Sequence, residues 1–262
     1  MSLSQNLIGY KGAIFVGSNT TWKKLKVLRL NDNKIGDEGA VSISNNVTWT
    51  NLEELQLSEN EIGDKGAAAI ADNRIWINLK LLNLKMNIIT GEGGETIGKN
   101  AVWRFLEVLD LSHNKIKNRG ALAIASNSSW SNLKELYLSF NQIEEEGGIA
   151  IGRNATWKNL EELYMTKNQI GDQGAIVIGR NPTWRNIETL DLQANQIGFQ
   201  GQIALARNST WKYIKKLDLK YNRILTSERI NAIKANALVN PKQIETCLPT
   251  TLEFFYDFDS YS

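Results

Sequence analysis

Tryptophan occurs at Trp22, Trp49, Trp76, Trp103, Trp130, Trp157, Trp184 and Trp211, each 27 residues after the last, and nowhere else. So rare a residue does not keep one period through unrelated structure. The chain is therefore one unit copied many times, and a period of about 20–50 residues is the mark of solenoids and arrays. A stack of such units grows by copy number and needs no closed globular core. What it offers is an extended surface.

Aligned on the tryptophans, the unit reads L-x-x-L-x-L-x-x-N-x-I-G-D-x-G-A-x-x-I-x-x-N-x-x-W-x-N, clearest from Leu52 to Asn78 and from Leu160 to Asn186. Full copies begin at Leu25, Leu52, Leu79, Leu106, Leu133, Leu160 and Ile187, and an eighth strand begins at Ile214. A half copy precedes them, with Asn6, Ile8, Gly9, Gly12, Ala13, Val16 and Asn19 in register. Because Leu3 aligns with Leu30, the chain either starts inside a repeat or is a piece of something longer.

Within a unit, Leu55-Gln56-Leu57 and Leu163-Tyr164-Met165 alternate as a strand does. Gly63-Asp64 reads as a turn, with Asp64 a helix N-cap. Ala67 and Ile70, three apart, give one face of a short helix from Asp64 to about Asn73. Stacked copies pair their strands in one parallel sheet at about 4.8 Å per strand, whereas helices approach no closer than about 8–10 Å. The helical side must be the longer one, so the stack curves. The expected fold is α/β: a horseshoe with a parallel β-sheet on the concave face and helices on the convex face.

Three repeated residues have structural roles in this reading. The nine asparagines from Asn6 to Asn222 lie where the chain leaves the strand, and their amides can satisfy backbone groups of adjacent turns. The glycines from Gly12 to Gly201 sit in the first helical turn and imply close approach of the neighbouring unit's backbone. The tryptophans are expected to stack as a buried ladder.

The L-x-x-L-x-L-x-x-N pattern, followed by I-G-x-x-G-A and an isoleucine-bearing helix, resembles the ribonuclease-inhibitor-like class of leucine-rich repeats over roughly residues 3 to 236. The resemblance implies a curved α/β solenoid that binds proteins, as inhibitors, ligand-sensing parts of immune receptors and bacterial factors delivered into hosts do. Ribonuclease inhibition is not carried over. Those inhibitors are cysteine-rich and alternate two repeat lengths, while this chain has one cysteine and one strict length. The tryptophan loop looks more like a microbial or protist variant.

The side chains between the repeated leucines are free to vary, and specificity should lie there. Adjacent repeats set them side by side, so Tyr137, Phe140 and Tyr164 are expected to form an aromatic patch flanked by His113 and Met86, with Tyr221 on the last strand. Exposed aromatics of this kind anchor protein interfaces; the plainer reading is that they fill gaps in a curved sheet. Glu53, Glu54 and Glu59 cluster in one unit and Lys215, Lys216 and Lys220 in the last.

Other chemistry finds little support. Net charge is +2, without the continuous basic stripe that a nucleic-acid partner requires. One histidine, His113, and one cysteine, Cys247, lie far apart on a rigid solenoid, which argues against a catalytic dyad, and no Cys/His cluster suggests a metal or other cofactor. No apolar run approaches membrane-spanning length and no secretion signal is evident. The expected location is cytoplasmic, or inside a host cell without a cleavable signal. The sequons at Asn19, Asn46, Asn127, Asn154 and Asn208 share one repeat position and read as by-products of the template.

Residues 1–224 are thus read as repeats and 225–262 as a C-terminal helix, cap and aromatic-acidic tail. The helix starts at Ser227 and ends near Asn240-Pro241, and the tail from Phe254 to Tyr261 either folds onto the cap or docks another chain. Two functions follow: a protein-binding scaffold using the concave face, or a structural solenoid that self-associates through an uncapped N-terminal end, Leu3 to Asn19.

Overall fold

The computed structural model describes residues 1–223 and 225–239, with the backbone of 244–246. Helices and strands alternate: α1 (Gly9–Gly17), β1 (Val27–Arg29), α2 (Gly36–Ser44), β2 (Glu54–Gln56), α3 (Asp64–Asp72), β3 (Leu81–Asn83), α4 (Gly91–Gly98), β4 (Val108–Asp110), α5 (Lys117–Ser126), β5 (Glu135–Tyr137), α6 (Glu145–Gly152), β6 (Glu162–Tyr164), α7 (Gly171–Gly179), β7 (Thr189–Asp191), α8 (Phe199–Ala206), β8 (Lys216–Leu219), α9 (Ser227–Asn236) and β9 (Ile244–Thr246). The strands form one parallel sheet in chain order. From β1 to β8 each residue pairs with the one 27 positions on, as Val27 with Glu54 and Glu54 with Leu81. The result is an open, curved solenoid, as the packing argument requires. Ring spacing follows the curvature: Tyr137 and Tyr164 on the sheet lie 4.8 Å apart, whereas Trp22–Trp49 and Trp157–Trp184 in the loops lie 6.4 Å apart.

The core runs the length of the stack. Leu28, Leu55, Leu82, Leu109, Leu136, Leu163, Leu190 and Leu217 are buried at one position, and Trp49 to Trp184 are fully buried, with Trp211 almost so. Trp22 is only partly covered. From Trp49 to Trp211 the indole Nε1 meets no protein acceptor, so these rings contribute through apolar burial rather than hydrogen bonding.

The asparagine ladder runs from Asn33 to Asn222, while the Asn6 side chain bonds only locally, to the Leu3 and Ser4 carbonyls. In Asn60, Oδ1 accepts from the Asn33 amide at 3.0 Å and Nδ2 donates to the Leu30 carbonyl at 2.9 Å, both in the preceding repeat. A second ladder runs through the loops: Nδ2 of Asn46 donates to the Gly17 carbonyl at 2.7 Å, and Oδ1 accepts from the Thr48 amide at 2.8 Å. This explains the sequons. The Ser or Thr two residues on closes a local turn, and at Asn46, Asn127, Asn154 and Asn208 the amide nitrogen that would carry a glycan is hydrogen-bonded to the preceding repeat.

Two expectations change in detail. Asp64 does not cap its own helix: the start of α3 has no side-chain cap from within it. Instead each short side chain at this position caps the helix of the next repeat. Asp37 accepts from the Gly63 and Gly66 amides at 2.7 and 2.8 Å, Asp64 from Thr90 and Gly93, Asn118 from Glu144 and Gly147, and Asp172 from Gly198 and Gly201. Where the preceding repeat offers Tyr10, Gly91 or Glu145 instead, the next helix starts through a left-handed residue: Gly36 at φ 59°, Lys117 at 52° and Gly171 at 63°. The repeated glycine is also reinterpreted. A Cβ on Gly66 would lie 3.0 Å from the Ala40 methyl and 2.8 Å from the capping Asp37 oxygen. The obstacle there is a neighbour's side chain, whereas at Gly120 the expected close approach to backbone holds, with the Gly94 Cα 3.2 Å from an added Cβ; the tightest backbone approach lies at the other end of the helix, as at Gly98 beside Ala123 and Ile124.

At the C-terminal side, α9 begins at Ser227 as expected, with the Thr226 hydroxyl accepting from Arg229, and ends at Asn236, earlier than the sequence suggests. Ile230 and Ile233 are buried, and the Leu238 and Val239 amides donate to the Ala206 carbonyl. Asn240, Pro241, Cys247 and the aromatic tail lie outside the described residues. No helix among the described residues is long and apolar enough to cross a membrane.

Candidate functional site

The concave face is set by period-two alternation: the central residue of each three-residue strand points into the core, and those on either side point out. On β5 and β6 the identical tripeptide Glu-Leu-Tyr therefore presents two outward residues per strand. Parallel pairing places Glu135 beside Glu162 and Tyr137 beside Tyr164. The tyrosine rings stack at 6° between planes. The Tyr137 hydroxyl donates to Glu135 at 2.8 Å. Burial first, then this hydrogen bond, push the Tyr137 hydroxyl well above the ordinary phenol value. Burial and the Glu162 charge push Tyr164 up to about 12.

Along the same row the neighbours are Asp110 on one side and Asp191 on the other. Burial raises the Asp110 carboxyl; hydrogen bonds from Ser112 and the charges of Lys85 and His113 act against it. Asp191 is buried and accepts from the Thr166 hydroxyl at 2.6 Å.

The expected single aromatic patch resolves into two stacked pairs. His113 and Phe140 stack at 4.0 Å and 14° in a second row, just past the strand ends, with the Lys167 ammonium 5.6 Å from the Phe140 ring. Burial lowers the His113 pKa, Lys85 adds to this, and Asp110 opposes it. Met86 and Tyr221 occupy the same row and are exposed. Tyr221 lies on the last repeat, away from the other five candidates. The whole row, Asp32, Glu59, Met86, His113, Phe140, Lys167, Ala194 and Tyr221, has φ between 51° and 58°. The amides from Asp32 to Ala194 each donate to a carbonyl of the next repeat, which fixes this conformation. Left-handed backbone costs a non-glycine residue roughly 1–2 kcal/mol, yet no repeat uses glycine here. The side chains at the sheet rim are kept despite that cost.

Most of the charges in the clusters read from the sequence are paired, Glu53, Glu54 and Lys215 across repeats and Lys216 within its own strand. Glu53 bridges Lys26 at 2.7 Å and Lys80 at 2.8 Å, and Glu54 pairs with Arg29 at 2.9 Å. Lys215 pairs with Glu188 and Lys216 with Asp218. The Glu53 carboxyl is accordingly held down to about 2, through its hydrogen bonds to Lys26 and Lys80. Glu135 and Glu162, by contrast, enter no ion pair among the described residues. The sequence signal for this pair is the repeated Glu-Leu-Tyr with no basic residue at the matching positions of the flanking repeats. Among the described residues no His, Cys, Asp or Glu group converges as a metal site would.

A family pattern described as a leucine-rich repeat matches residues 23–44, 50–71, 77–98, 104–125, 131–152 and 158–179, half of the chain and once in each of six successive repeats. The chain belongs to the leucine-rich repeat family. No curated protein matches it in sequence. Among solved structures, this leucine-rich repeat chain is similar to a leucine-rich repeat protein of Leptospira interrogans, with 20% identity, a TM-score of 0.55 and 91% of this chain covered. It spans 57% of that protein's length, and the likeness is one of fold. More distant are a chain from an octameric complex of latrophilin 3, Unc5D and FLRT2, with 19% identity, TM-score 0.48 and coverage of 86% of this chain and 70% of that one, and one from the yeast Rad7–Elc1 complex, with 13% identity, TM-score 0.39 and coverage of 94% and 76%.

Proposed function

We propose that this protein is a non-enzymatic recognition scaffold whose concave sheet face binds a protein partner. The observation that carries the reading is the Tyr137–Tyr164 stack: aromatic side chains at template positions that the core does not use. The neighbouring His113–Phe140 pair extends the surface to the strand ends. Half-exposed aromatics on a rigid sheet lose little conformational freedom on binding, which is why such residues dominate interfaces. The test is affinity capture from the native host, followed by titration of the identified partner against wild type and Tyr137→Ala/Tyr164→Ala. A loss of about 2 kcal/mol or more per hot residue supports the reading; unchanged binding by a folded variant moves the interface elsewhere.

Within the family we place the chain in the ribonuclease-inhibitor-like class, because its repeats pair a short strand with a true α-helix, as in β2 and α3. We assign residues 1–224 to the repeats and 225–262 to a C-terminal helix, cap and aromatic-acidic tail, on the burial of Ile230 and Ile233 in the common core. A chain built with a single cysteine suits a reducing compartment such as the cytoplasm.

A second reading, self-association through the N-terminal end, is favoured by the exposure of Leu7, Tyr10, Ile14 and Phe15. Interior repeats place Ser42, Ala123 or Ala204 at the Phe15 position, packed against a glycine of the preceding helix. Phe15 is too large for that spacing, so a second copy would have to dock in another geometry. Sedimentation decides: a concentration-independent monomer sinks this reading.

A further inference from the structure

We propose that the Tyr137–Tyr164 stack is a receptor for an arginine side chain on the protein partner. The inference rests on the concave-face reading and adds the chemistry of what binds there. Four carboxylates surround the stack: Asp110 and Asp191 continue its row on either side, and Glu135 and Glu162 flank it in the parallel row. The outward strand residues from β4 to β7 are Val108, Asp110, Glu135, Tyr137, Glu162, Tyr164, Thr189 and Asp191, with no lysine or arginine among them. Glu135 and Glu162 stand in direct register, a like-charge pair that destabilises a sheet. In an earlier repeat the carboxylate at this same position, Glu54, is given a cation from the adjacent repeat by Arg29. At β5 and β6 no ion pair does so among the described residues.

The missing partner is thus a cation, and the aromatic faces narrow its kind. A guanidinium is planar, weakly hydrated, stacks on tyrosine and can bond a carboxylate with two parallel N–H groups; an ammonium does neither of the last two as well. Among the described residues none of the nearest cations forms an ion pair with Glu135 or Glu162, although the Lys85 charge reaches Asp110 and the Lys134 charge reaches Glu135. Lys134 is held by Glu107, Lys167 lies over Phe140, and Lys85 acts on Asp110 and His113.

The experiment selects random twelve-residue peptides displayed on phage against the full chain, and in parallel against Glu135→Gln/Glu162→Gln and Tyr137→Ala/Tyr164→Ala. The glutamine variant removes repulsion and keeps shape, so it is expected to melt no lower than wild type, which a thermal scan checks. Wild type should enrich arginine-containing peptides, each losing about tenfold in affinity when its arginine is replaced by citrulline or when either variant is used. Peptides that depend on the tyrosines but carry no arginine, or bind equally with lysine, overturn the arginine assignment and leave the concave site standing. Peptides indifferent to the tyrosine variant, or no enrichment at all, overturn both.

Discussion

The loop side and the sheet side of this solenoid are built from the same 27 residues and follow opposite rules. On the loop side each of the eight repeats has Trp at one position, and the second asparagine ladder has one hydrogen-bond pattern. On the sheet side, one outward position reads Arg29, Gln56, Asn83, Asp110, Tyr137, Tyr164, Asp191 and Asp218. The first set is what lets one repeat stack on the next. The second varies from repeat to repeat at a position outside the common leucine core, so the template does not dictate its identity. On the proposed function, stability and recognition would sit on different residues of the same unit.

That division can be broken most forcefully at the ladder. Trp130→Ala should cost about 3–5 kcal/mol, as for a fully buried aromatic, measured by urea denaturation; a change near zero would mean that the indoles are dispensable. Asn141→Ala should cost about 2–3 kcal/mol, because its amide joins the Leu111 carbonyl at 2.8 Å and the Ile116 amide at 3.3 Å, both buried. Repeat-to-repeat capping gives a sharper contrast. Asp64→Ala should cost about 1 kcal/mol through loss of its bonds to the Thr90 and Gly93 amides at the start of α4, where the Thr90 hydroxyl remains as a local cap, while Glu145→Ala, whose oxygen comes no nearer than 3.4 Å to the Gln173 amide, should stay within about 0.5 kcal/mol. Equal costs would remove the distinction between short and long side chains at that position.

The smallest effect belongs to the paired charges. Glu53 titrates at about 2 instead of 4.5. A carboxyl depressed on folding adds stability above its unfolded value, and that contribution is lost as pH falls through the folded one. The melting temperatures of wild type and Glu53→Gln should therefore differ above about pH 5 and converge toward pH 2. A constant difference across that window would show that the lysine contacts do not set the titration.

The sequence made the frame legible because its information is periodic: one spacing yields the strands, the helices, the curvature and the asparagine ladder. What escaped were interactions between repeats that a single template cannot express. Asp64 looks like a local cap, and only stacking brings Thr90 and Gly93, 26 and 29 residues on, to its carboxylate. Glu53 and Glu54 look like an acidic cluster until Lys26, Lys80 and Arg29 are seen beside them. The aromatic patch was found but undivided, since the left-handed turn that carries His113 and Phe140 past the sheet depends on backbone bonds to the next repeat.

The central claim is tested most directly by Tyr137→Ala/Tyr164→Ala, studied in one preparation by urea denaturation and by titration with the captured partner. The account predicts stability within about 0.5 kcal/mol per residue of wild type and binding weakened by about 2 kcal/mol or more per hot residue. A stability loss on the scale of Trp130→Ala, or unimpaired binding by a fully folded variant, would contradict it.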